Sequence, residues 1–284
     1  MTQIVPVSKS SLEGEEHVDL ALTEAMRGGV ITIGNFDGVH LGHAALLRRV
    51  RSQADRLSGP AIAVVLDPHP ASVLRPERAP KRLTWIERRA ELMDQYGIDT
   101  LVVCRTSREL LALTAESFFE ALVQQRLQAR AMIEGPNFYF GRDRGGDIQT
   151  LQGLCSGAGI ELTIVEPSEF AGQMVSSTRI RGLLAEGQVE QAAELLGAPY
   201  RIRGNVVAGA KRGREIGFPT ANLDQIDVLI PGPGVYGGFV TVEERRLVAA
   251  IHIGPNPTFE QDGGLKVEVH VLDYDGDLYG RELQ

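Results

Sequence analysis

Short apolar runs without polar alternation, each followed by a longer amphipathic stretch, are the feature that most constrains the fold of this chain. The runs predict five strands, at Val30–Ile33, Ala61–Leu66, Thr100–Cys104, Ala129–Ile133 and Leu162–Val165. Strands that lack alternation and are separated by helices indicate a parallel sheet covered on both faces. The pattern therefore predicts a doubly wound α/β domain, which would bind ligands at the carboxyl ends of its strands.

The stretches between these runs have the apolar periodicity of helices. They predict helices at His40–Leu57, Thr84–Tyr96, Thr114–Gln125 and Gly146–Gly157. Thr84 and Glu87 have the spacing of a capping box, which is typical of a helix start. The stretch Val189–Leu196 predicts one more helix, which would connect this domain to the next.

From about Tyr200 the helical periodicity stops, and glycine and proline become frequent. Short strands are predicted at Arg201–Val207, Val235–Val242, Leu247–Ile253 and Lys266–Leu272. In the last of these, charged or polar residues alternate with valines, which indicates a half-buried antiparallel strand. Several short strands with turn signals predict a small all-β barrel. We therefore expect an α/β domain over residues 1–186, a connector over 187–199 and a barrel over 200–284.

Composition excludes several classes of function. The net charge of −8 disfavours general nucleic-acid binding, which needs a basic face. The chain has no run of 18 apolar residues that could span a membrane, and its N-terminus lacks the pattern of a secretory signal. Cys104 and Cys155 lie in apolar stretches, which predicts two reduced core thiols rather than a disulfide or a zinc site. We therefore expect a cytoplasmic protein.

The first predicted strand leads into a glycine-rich turn and then a helix. The turn comprises Gly34, Asn35, Phe36, Asp37 and Gly38. Such a turn lets a phosphate approach backbone N–H groups at the helix start, where the helix dipole favours negative charge. His40 and His43 are three residues apart and share one helical face near that end. Two histidines at this spacing are commonly plain surface or core residues, but the strand–turn–helix context favours phosphate binding.

The string GNFDGVHLGH, residues 34–43, resembles the His-x-Gly-His signature of nucleotidyltransferases, and specifically the N-terminal module of bacterial FAD synthetases. Further matches follow in order: DPHP at Asp67–Pro70, GPNFYFGRDRGGD at Gly135–Asp147 and VSSTRIR at Val175–Arg181. The resemblance covers most of residues 28–185. It implies a Rossmann-like nucleotidyltransferase domain that transfers AMP from ATP to the phosphate of FMN and releases pyrophosphate.

This resemblance also implies the roles of individual residues. His40 and His43 would be catalytic and would bind the ATP phosphates. Nucleotide and phosphate binding would fall to the turn residues 34–38 and to Ser176, Ser177, Thr178 and Arg181. Flavin binding would fall to Asp67, His69, Pro70, Asn137, Phe138 and Phe140. The chain departs from the family at Leu66-Asp67 and at Arg105–Arg108, where aromatic residues are usual, so we expect an altered flavin pocket.

The later region opens with a second glycine-rich segment, Gly204–Leu223. Its glycines and cations suit a loop that wraps a nucleotide; the candidates are Gly209, Lys211, Arg212, Gly213 and Gly217. Thr220 and Asn222 are two residues apart, so in an extended segment both side chains point the same way. Their oxygen atoms are suitable ligands for Mg²⁺ or partners for phosphate.

This segment, which ends in PTAN, resembles the riboflavin kinase module. Three more strings agree: PGPGVYGG at Pro231–Gly238, IGPNPTF at Ile253–Phe259 and VEVHVLDYDGDLYG at Val267–Gly280. The resemblance implies a six-stranded Greek-key barrel, Mg²⁺ held near Thr220 and Asn222, and Glu268 as the general base for the riboflavin 5′-hydroxyl. Members of the family continue beyond the equivalent of Gln284, so either the sequence is incomplete or the kinase pocket lacks one wall.

Together the two resemblances indicate the bacterial bifunctional riboflavin kinase/FMN adenylyltransferase family. They imply small-molecule substrates (riboflavin, FMN and ATP), Mg²⁺ as cofactor, no nucleic-acid or membrane partner, and a monomer or weak homo-oligomer. Three alternatives stay open: an adenylyltransferase with an inactive barrel, a flavin-nucleotide sensor without turnover, and an adenylyltransferase for another substrate.

Overall fold

Six parallel strands form the sheet of the N-terminal part of the chain. They are β1 (Gln3–Val7), β2 (Val30–Ile33), β3 (Ala61–Asp67), β4 (Thr100–Arg105), β5 (Ala131–Glu134) and β6 (Glu161–Ile164). Their order in space is β1-β4-β3-β2-β5-β6, and every neighbouring pair is parallel. The chain leaves β2 towards β3 and β4 on one side and returns to place β5 and β6 on the other. The order therefore reverses between β2 and β5, which is where doubly wound sheets bind ligands.

Helices cover both faces of this sheet. They are α1 (Leu41–Leu57), α2 (Pro70–Leu74), α3 (Ile86–Asp94), α4 (Arg108–Leu111), α5 (Ala115–Phe118) and α6 (Ile148–Ala158), with a π-helical turn at Phe119–Arg126. One apolar cluster packs Leu47 of α1 and Met93 of α3 against one face, and a second packs Leu122 and Leu151 against the other. The doubly wound architecture is thereby confirmed. A separate hairpin, β7 (Glu169–Phe170) with β8 (Gln173–Met174), follows the sheet.

The second sheet is antiparallel and curls around a single apolar cluster. Two helices precede it, α7 (Ser177–Ala185) and α8 (Val189–Leu196). Its strands are β9 (Gly204–Val207), β10 (Ala221–Asp224), β11 (Gly234–Val242), β12 (Arg245–Pro255), β13 (Leu265–Val271) and β14 (Glu282–Leu283). In space the order is β11-β12-β13-β10-β9-β14. The predicted small all-β domain is confirmed as this curled six-stranded half-barrel.

This computed structural model describes residues 1–7, 23–208, 219–243, 245–255 and 265–284. It divides into two compact units. The first unit combines Met1–Pro80 with Ile86–Ser176, and the second combines Lys81–Trp85 with Ser177–Gln284. The segment 209–218, on which Gly209, Lys211, Arg212, Gly213 and Gly217 were predicted to bind nucleotide, lies outside the described residues.

Several element boundaries differ from the sequence-based expectations, and the differences have physical causes. The helix expected from Thr84 begins at Ile86, because Lys81–Trp85 packs with the second unit. Strand β1 was not expected; it carries a proline and pairs with β4 alone, as proline strands do at sheet edges. Strand β10 was also missed, because Asn and Asp disfavour strands and pairing with β9 and β13 overrides that preference.

Both cysteines lie in the core of the first unit, as expected. Cys104 and Cys155 are buried and unbonded to each other. Burial raises the pKa of the Cys104 thiol to about 12 and that of Cys155 to about 11. Both side chains therefore remain protonated thiols at neutral pH and act as small apolar residues.

Candidate active sites

The loop that joins β2 to α1 lies at the point where the strand order of the first sheet reverses. Strand β2 ends at Ile33, and the neighbouring strand β5 ends at Glu134, so the loop from Gly34 to His40 and the segment beginning at Gly135 leave the same edge. Most of the loop is buried: Phe36, Asp37 and the residues up to His40 are inaccessible to solvent, whereas Asn35 is exposed. The predicted phosphate loop therefore occupies the position where an α/β sheet receives its ligand.

The two histidines stack on each other at the start of α1. Their ring centroids are 3.7 Å apart and their planes differ by 14°. The Nδ1 atom of His40 accepts a hydrogen bond from the backbone N–H of His43 at 3.4 Å, so His40 caps the helix. Because Nδ1 accepts, a neutral His40 ring carries its proton on Nε2. The pair therefore lies where an incoming phosphate would meet the free N–H groups of the helix start.

His43 is kept neutral by its surroundings. Burial is the main cause that holds its pKa well below the usual value, followed by the nearby His40 and Arg89. The edge of the Phe36 ring also packs against it, with centroids 5.1 Å apart. Among the residues that the structure describes, none forms a hydrogen bond with His43 Nδ1. A neutral imidazole in this position can form a hydrogen bond with a ligand without first losing a proton.

Arg89 of α3 holds the loop from behind, and sequence reasoning missed it. Its guanidinium donates to the carbonyl oxygen of Asn35 at 3.2 Å and pairs with Asp37 Oδ1 at 3.3 Å. Both side chains of the ion pair are almost fully buried, at 5% and 6% exposure. Asp37 therefore faces Arg89 in the protein interior, which makes it a residue that positions the loop. In the sequence, the feature that could have revealed Arg89 is its position on the apolar face of α3, beside Ala90 and Met93.

Glu134 is a second residue that the sequence did not single out. It is 2% exposed at the end of β5, and its Oε1 accepts a hydrogen bond from the backbone N–H of Ile33 at 2.7 Å. The paired residues of β2 and β5 extend only from Val30–Ala131 to Ile31–Met132, so this side chain joins the two strands beyond their ladder. Burial raises the pKa of Glu134 well above its usual value, against the lowering effect of the Ile33 hydrogen bond. In the sequence, the feature that could have revealed Glu134 is a charged residue at the end of an otherwise apolar strand.

The predicted flavin-binding residues come from two segments at the same sheet edge. Asp67 ends β3, and His69 caps α2 by accepting a hydrogen bond from the Ala71 N–H at 3.1 Å. Pro70 is the first residue of that helix.

In the segment after β5, Asn137 is exposed and Phe138 half-buried, whereas Phe140 lies in the core. Phe138 stacks on Phe140 with centroids 5.3 Å apart, so Phe140 supports Phe138 from the interior.

The VSSTRIR segment reaches the histidine pair through its first residues. A Cβ added to Gly42 would lie 3.4 Å from the carbonyl oxygen of Val175, so this backbone passes beside the start of α1. Ser176 ends the first unit, and Ser177 and Thr178 begin α7 in the second. The Nε of Arg181 donates to the carbonyl oxygen of Lys81 at 2.7 Å. The phosphate-binding roles of Ser176, Ser177, Thr178 and Arg181 stay predictions.

A row of polar side chains crosses the second sheet. Strand register places His252 of β12 opposite Glu268 of β13, and Glu268 opposite Asn222 of β10. Residues opposite one another in antiparallel strands lie on the same face of the sheet. The exposed Val235 and Val207 end this row on β11 and β9, so the row lies on the face away from the apolar cluster. The structure thus brings Asn222 and Glu268 together from segments more than 40 residues apart in sequence.

Asn222 fits a metal ligand. It is buried at 7% exposure, and its Oδ1 atom has no hydrogen-bond partner within the described parts of the chain. A buried carbonyl oxygen without a partner is costly unless something binds it. Thr220, two residues earlier, lines a cavity of about 520 Å³ together with Ala221, Val269, Tyr274 and Tyr279. That volume is within the range of small-molecule pockets.

Both parts of the chain match known families. Residues 22–179 match the family model described as FAD synthetase, and residues 196–284 match the one described as riboflavin kinase. A bifunctional riboflavin kinase/FMN adenylyltransferase from Pseudomonas fluorescens is 38% identical over 90% of this chain and 82% of its own length. The protein of the same description from Escherichia coli K12 is 36% identical with the same coverage. The chain belongs to the bifunctional riboflavin kinase/FMN adenylyltransferase family.

Relatives from other bacteria agree with this membership. The bifunctional riboflavin kinase/FMN adenylyltransferase of Listeria monocytogenes is 36% identical over 90% of this chain and 81% of its own length. A solved structure, described as a macrolide-efflux protein from Streptococcus pneumoniae, superposes with a TM-score of 0.83 at 28% identity, covering 98% of this chain and 88% of that one. In the described residues of this chain, no helix is long and apolar enough to cross a membrane.

Family membership assigns each candidate site to one half of the enzyme. The stacked histidines, Arg89 and Glu134 all lie within the FAD synthetase part, and the row from His252 to Asn222 lies within the riboflavin kinase part. Because both parts are present and the matching relatives are described as bifunctional, an adenylyltransferase with an incomplete or inactive kinase barrel is not favoured. No group of three or more His, Cys, Asp or Glu side chains suited to a metal occurs in the residues described.

Proposed function

We propose that this chain phosphorylates riboflavin to FMN in its second unit and adenylylates FMN to FAD in its first unit, with ATP as the co-substrate of both reactions. The observation that best supports this proposal is that each of the two candidate sites lies within a different family match. One site is a stacked histidine pair at a helix start, and the other is a carboxylate beside an unpartnered amide oxygen. Each provides groups that the corresponding phosphate chemistry needs.

In the first reaction, the FMN phosphate attacks the α-phosphorus of ATP and pyrophosphate leaves. Negative charge grows on the α-phosphate oxygens as the bond forms. His40, with Nε2 carrying its proton, and the neutral His43 are placed to donate hydrogen bonds to that charge. The N–H groups at the start of α1 add further donors. We assign both histidines as catalytic residues.

The remaining predicted residues of this site come from four other segments of the chain. The turn 34–38 would hold the nucleotide phosphates, with Asp37 acting through its buried contact to Arg89. Phosphate binding would also involve Ser176, Ser177, Thr178 and Arg181. Asp67, His69, Pro70, Asn137 and Phe138 would contact the flavin, with Phe140 behind Phe138.

In the second reaction, the 5′-hydroxyl of riboflavin attacks the γ-phosphorus of ATP. Glu268 would accept the hydroxyl proton as the general base, a role that contributes about 10²–10⁴-fold to rate in enzymes. Asn222 and Thr220 would hold Mg²⁺, and the orphaned Oδ1 of Asn222 fits that role. When bound, Mg²⁺ would neutralise charge on the ATP phosphates. The glycine-rich segment 209–218 is predicted from the sequence to bind the nucleotide.

The family's substrates also bear on where and how the protein operates. Riboflavin, FMN and ATP are small soluble molecules, and the two buried thiols suit a reducing compartment. We therefore infer a cytoplasmic enzyme that acts as a monomer or a weak homo-oligomer.

Product analysis tests the function. The purified chain is incubated with riboflavin, ATP and Mg²⁺, and products are separated by chromatography. We expect FMN to appear first and FAD to follow, with pyrophosphate released in step with FAD. A parallel incubation with FMN and ATP should give FAD alone. Formation of FAD from FMN without any FMN from riboflavin would overturn the kinase assignment, and absence of both products would overturn the whole proposal.

A further inference from the structure

Two nitrogen-bearing side chains contact the carboxylate of Glu268, one at each oxygen. The Nζ atom of Lys266 donates to Oε1 at 2.7 Å, and His252 Nδ1 lies 3.4 Å from Oε2. Lys266 comes from the same strand, two residues earlier, whereas His252 lies directly opposite on β12. The carboxylate therefore has a nitrogen neighbour at each oxygen, and these two contacts restrict its rotation.

We propose that Lys266 and His252 are positioning residues for the kinase reaction, which fix the plane of the Glu268 carboxylate beside Asn222. This inference rests on the proposed role of Glu268 as the general base. It adds that Lys266 and His252 orient the carboxylate of that base. Neither Lys266 nor His252 takes the substrate proton. That proton passes to Glu268 as the hydroxyl oxygen bonds to the γ-phosphorus, and the bond between the γ-phosphorus and its bridging oxygen breaks to release ADP.

The space that the His252 ring occupies depends on a glycine in the same strand. A Cβ added to Gly254 would lie 2.8 Å from His252 Cε1 and 3.1 Å from Nε2. The imidazole therefore rests against the bare backbone of Gly254, in space that a side chain would occupy. Cross-strand register places the ring opposite Glu268, and Gly254 leaves room for it. A histidine whose ring pointed into solvent from a strand would not need a glycine two residues later.

The charge environment agrees with this geometry. The hydrogen bond from Lys266 is the main cause that lowers the pKa of Glu268, partial burial opposes it, and the Lys266 charge and His252 lower it further. On the neighbouring strand β10, the residue facing Glu268 is the uncharged Asn222. His270, two residues along β13, has its Nδ1 2.9 Å from the carbonyl oxygen of Pro219. Lys266 and His252 thus favour the ionised form of Glu268, which is the form that can accept a proton.

The experiment compares variants that remove each contact with variants that keep it. Lys266→Met and His252→Leu remove the donors, and Lys266→Arg and His252→Asn retain one. Kinase kcat and KM are measured from about pH 4 to 9, so that the range reaches the acidic limb expected for a carboxyl base. Adenylyl transfer by the same samples reports that the first unit is folded, and thermal unfolding followed by circular dichroism reports that the second unit is folded. Arg246→Gln is the matched control, because this cation lies on the same face of β12 but stacks on Phe239.

We expect Lys266→Met to lower kinase kcat by about 10–100-fold, on the scale at which misplaced groups cost rate. The acidic limb of its pH profile should move to higher pH, since the Lys266 contact and charge lower the pKa of Glu268 and the variant removes both. His252→Leu should do the same to a smaller degree, and Lys266→Arg and His252→Asn should recover part of the loss. KM for riboflavin should stay within about twofold, because the substrate contacts are intact.

Two results would overturn the inference: unchanged kcat in both donor-removing variants, or a uniform loss at every pH without movement of the acidic limb. The latter would mean that the contacts are merely structural. Glu268→Gln separates this failure from failure of the proposed function. If Glu268→Gln retains kinase activity, the role of the base itself is wrong; if it is inactive while Lys266→Met is normal, only the positioning role is wrong.

Discussion

Arg89 and Glu134 are buried ionisable side chains that hold the predicted phosphate loop of the first unit. Arg89 binds the loop at Asn35 and Asp37, and Glu134 binds the backbone at Ile33, where the loop begins. Neither residue lies within the glycine-rich string or its histidines. Buried charges are expensive unless they are paired, so both contacts indicate that loop position is held at a cost in stability.

Replacing Arg89 by methionine should strongly destabilise the first unit. The change leaves Asp37 buried without its cation, and loss of one partner of a buried ion pair costs about 3–5 kcal/mol. Urea denaturation monitored by circular dichroism measures the loss. Adding Asp37→Asn should restore much of the stability, because the unpaired charge is then gone. Arg49→Met, at an exposed position of α1, is the control and should change stability by less than about 0.5 kcal/mol.

Glu134 should make stability depend on pH. Its pKa is raised in the folded protein, whereas an unfolded glutamate ionises near pH ~4.3. Its contribution is therefore fully present below pH ~4.3 and is lost as pH rises through the folded pKa. Glu134→Gln cannot ionise, so the unfolding free energy of wild type minus that of the variant should fall by about 1.4 kcal/mol per pH unit over that interval.

Urea denaturation of both proteins between pH 5 and 8 gives this difference. Glu120→Gln, at an exposed position, serves as the control for removing a surface carboxylate. A constant difference for Glu134→Gln would mean that Glu134 ionises normally in the folded state.

At the scale of elements, the connection from β2 to α1 is tightly constrained. Phe36, Gly38 and Val39 all have positive φ angles, of 47°, 89° and 43°. A β-branched valine in that conformation is strained, and such strain persists only where surrounding contacts enforce it. Here the Val39 N–H donates to the Phe36 carbonyl at 3.2 Å, and the His40 cap follows at once. The conformation of the loop is therefore fixed together with that of the helix start.

Gly42→Ala should separate stability from activity. Alanine in a helix is favoured over glycine by about 1 kcal/mol, so stability should rise or stay level. The new Cβ would lie 3.1 Å from His40 Cε1, and the His40 ring is already stacked on His43, so the pair must shift by a few tenths of an ångström. We expect adenylyl transfer to slow about tenfold, since a displacement of 1 Å can cost about 100-fold. Kinase activity should be unchanged relative to wild type. If the variant kept full adenylyl transfer, or lost both activities equally, this account would be contradicted.

At the scale of the whole molecule, the two candidate sites lie in different compact units. The histidine pair belongs to the first unit, and the row from His252 to Asn222 belongs to the second. The two reactions should therefore be separable by single substitutions.

His43→Ala should lower adenylyl transfer by about 10²–10³-fold, the usual cost of losing one donor to transition-state charge, and leave the kinase intact. Glu268→Ala should lower the kinase by about 10²–10⁴-fold and leave adenylyl transfer intact. Riboflavin plus ATP and FMN plus ATP are assayed separately for each variant. Equal loss of both activities in either variant would refute independent sites.

The sequence by itself determined the two fold classes, most strands of the first sheet and the motifs of both sites. Val30–Ile33 and Val189–Leu196 were predicted with the bounds that the structure has, because apolar periodicity and turn residues are local properties. Family strings likewise identified His40, His43, Asn222 and Glu268 without coordinates.

Only the tertiary structure decided which distant side chains complete those sites. Arg89 meets Asp37 across 52 positions and Glu134 meets Ile33 across 101, and strand register alone places His252 beside Glu268. The same holds for β10, whose local preference is for a turn and whose strand conformation comes from its two neighbours. Local sequence encodes conformational preference, whereas the partner of a buried charge or a strand edge is selected when the whole core packs.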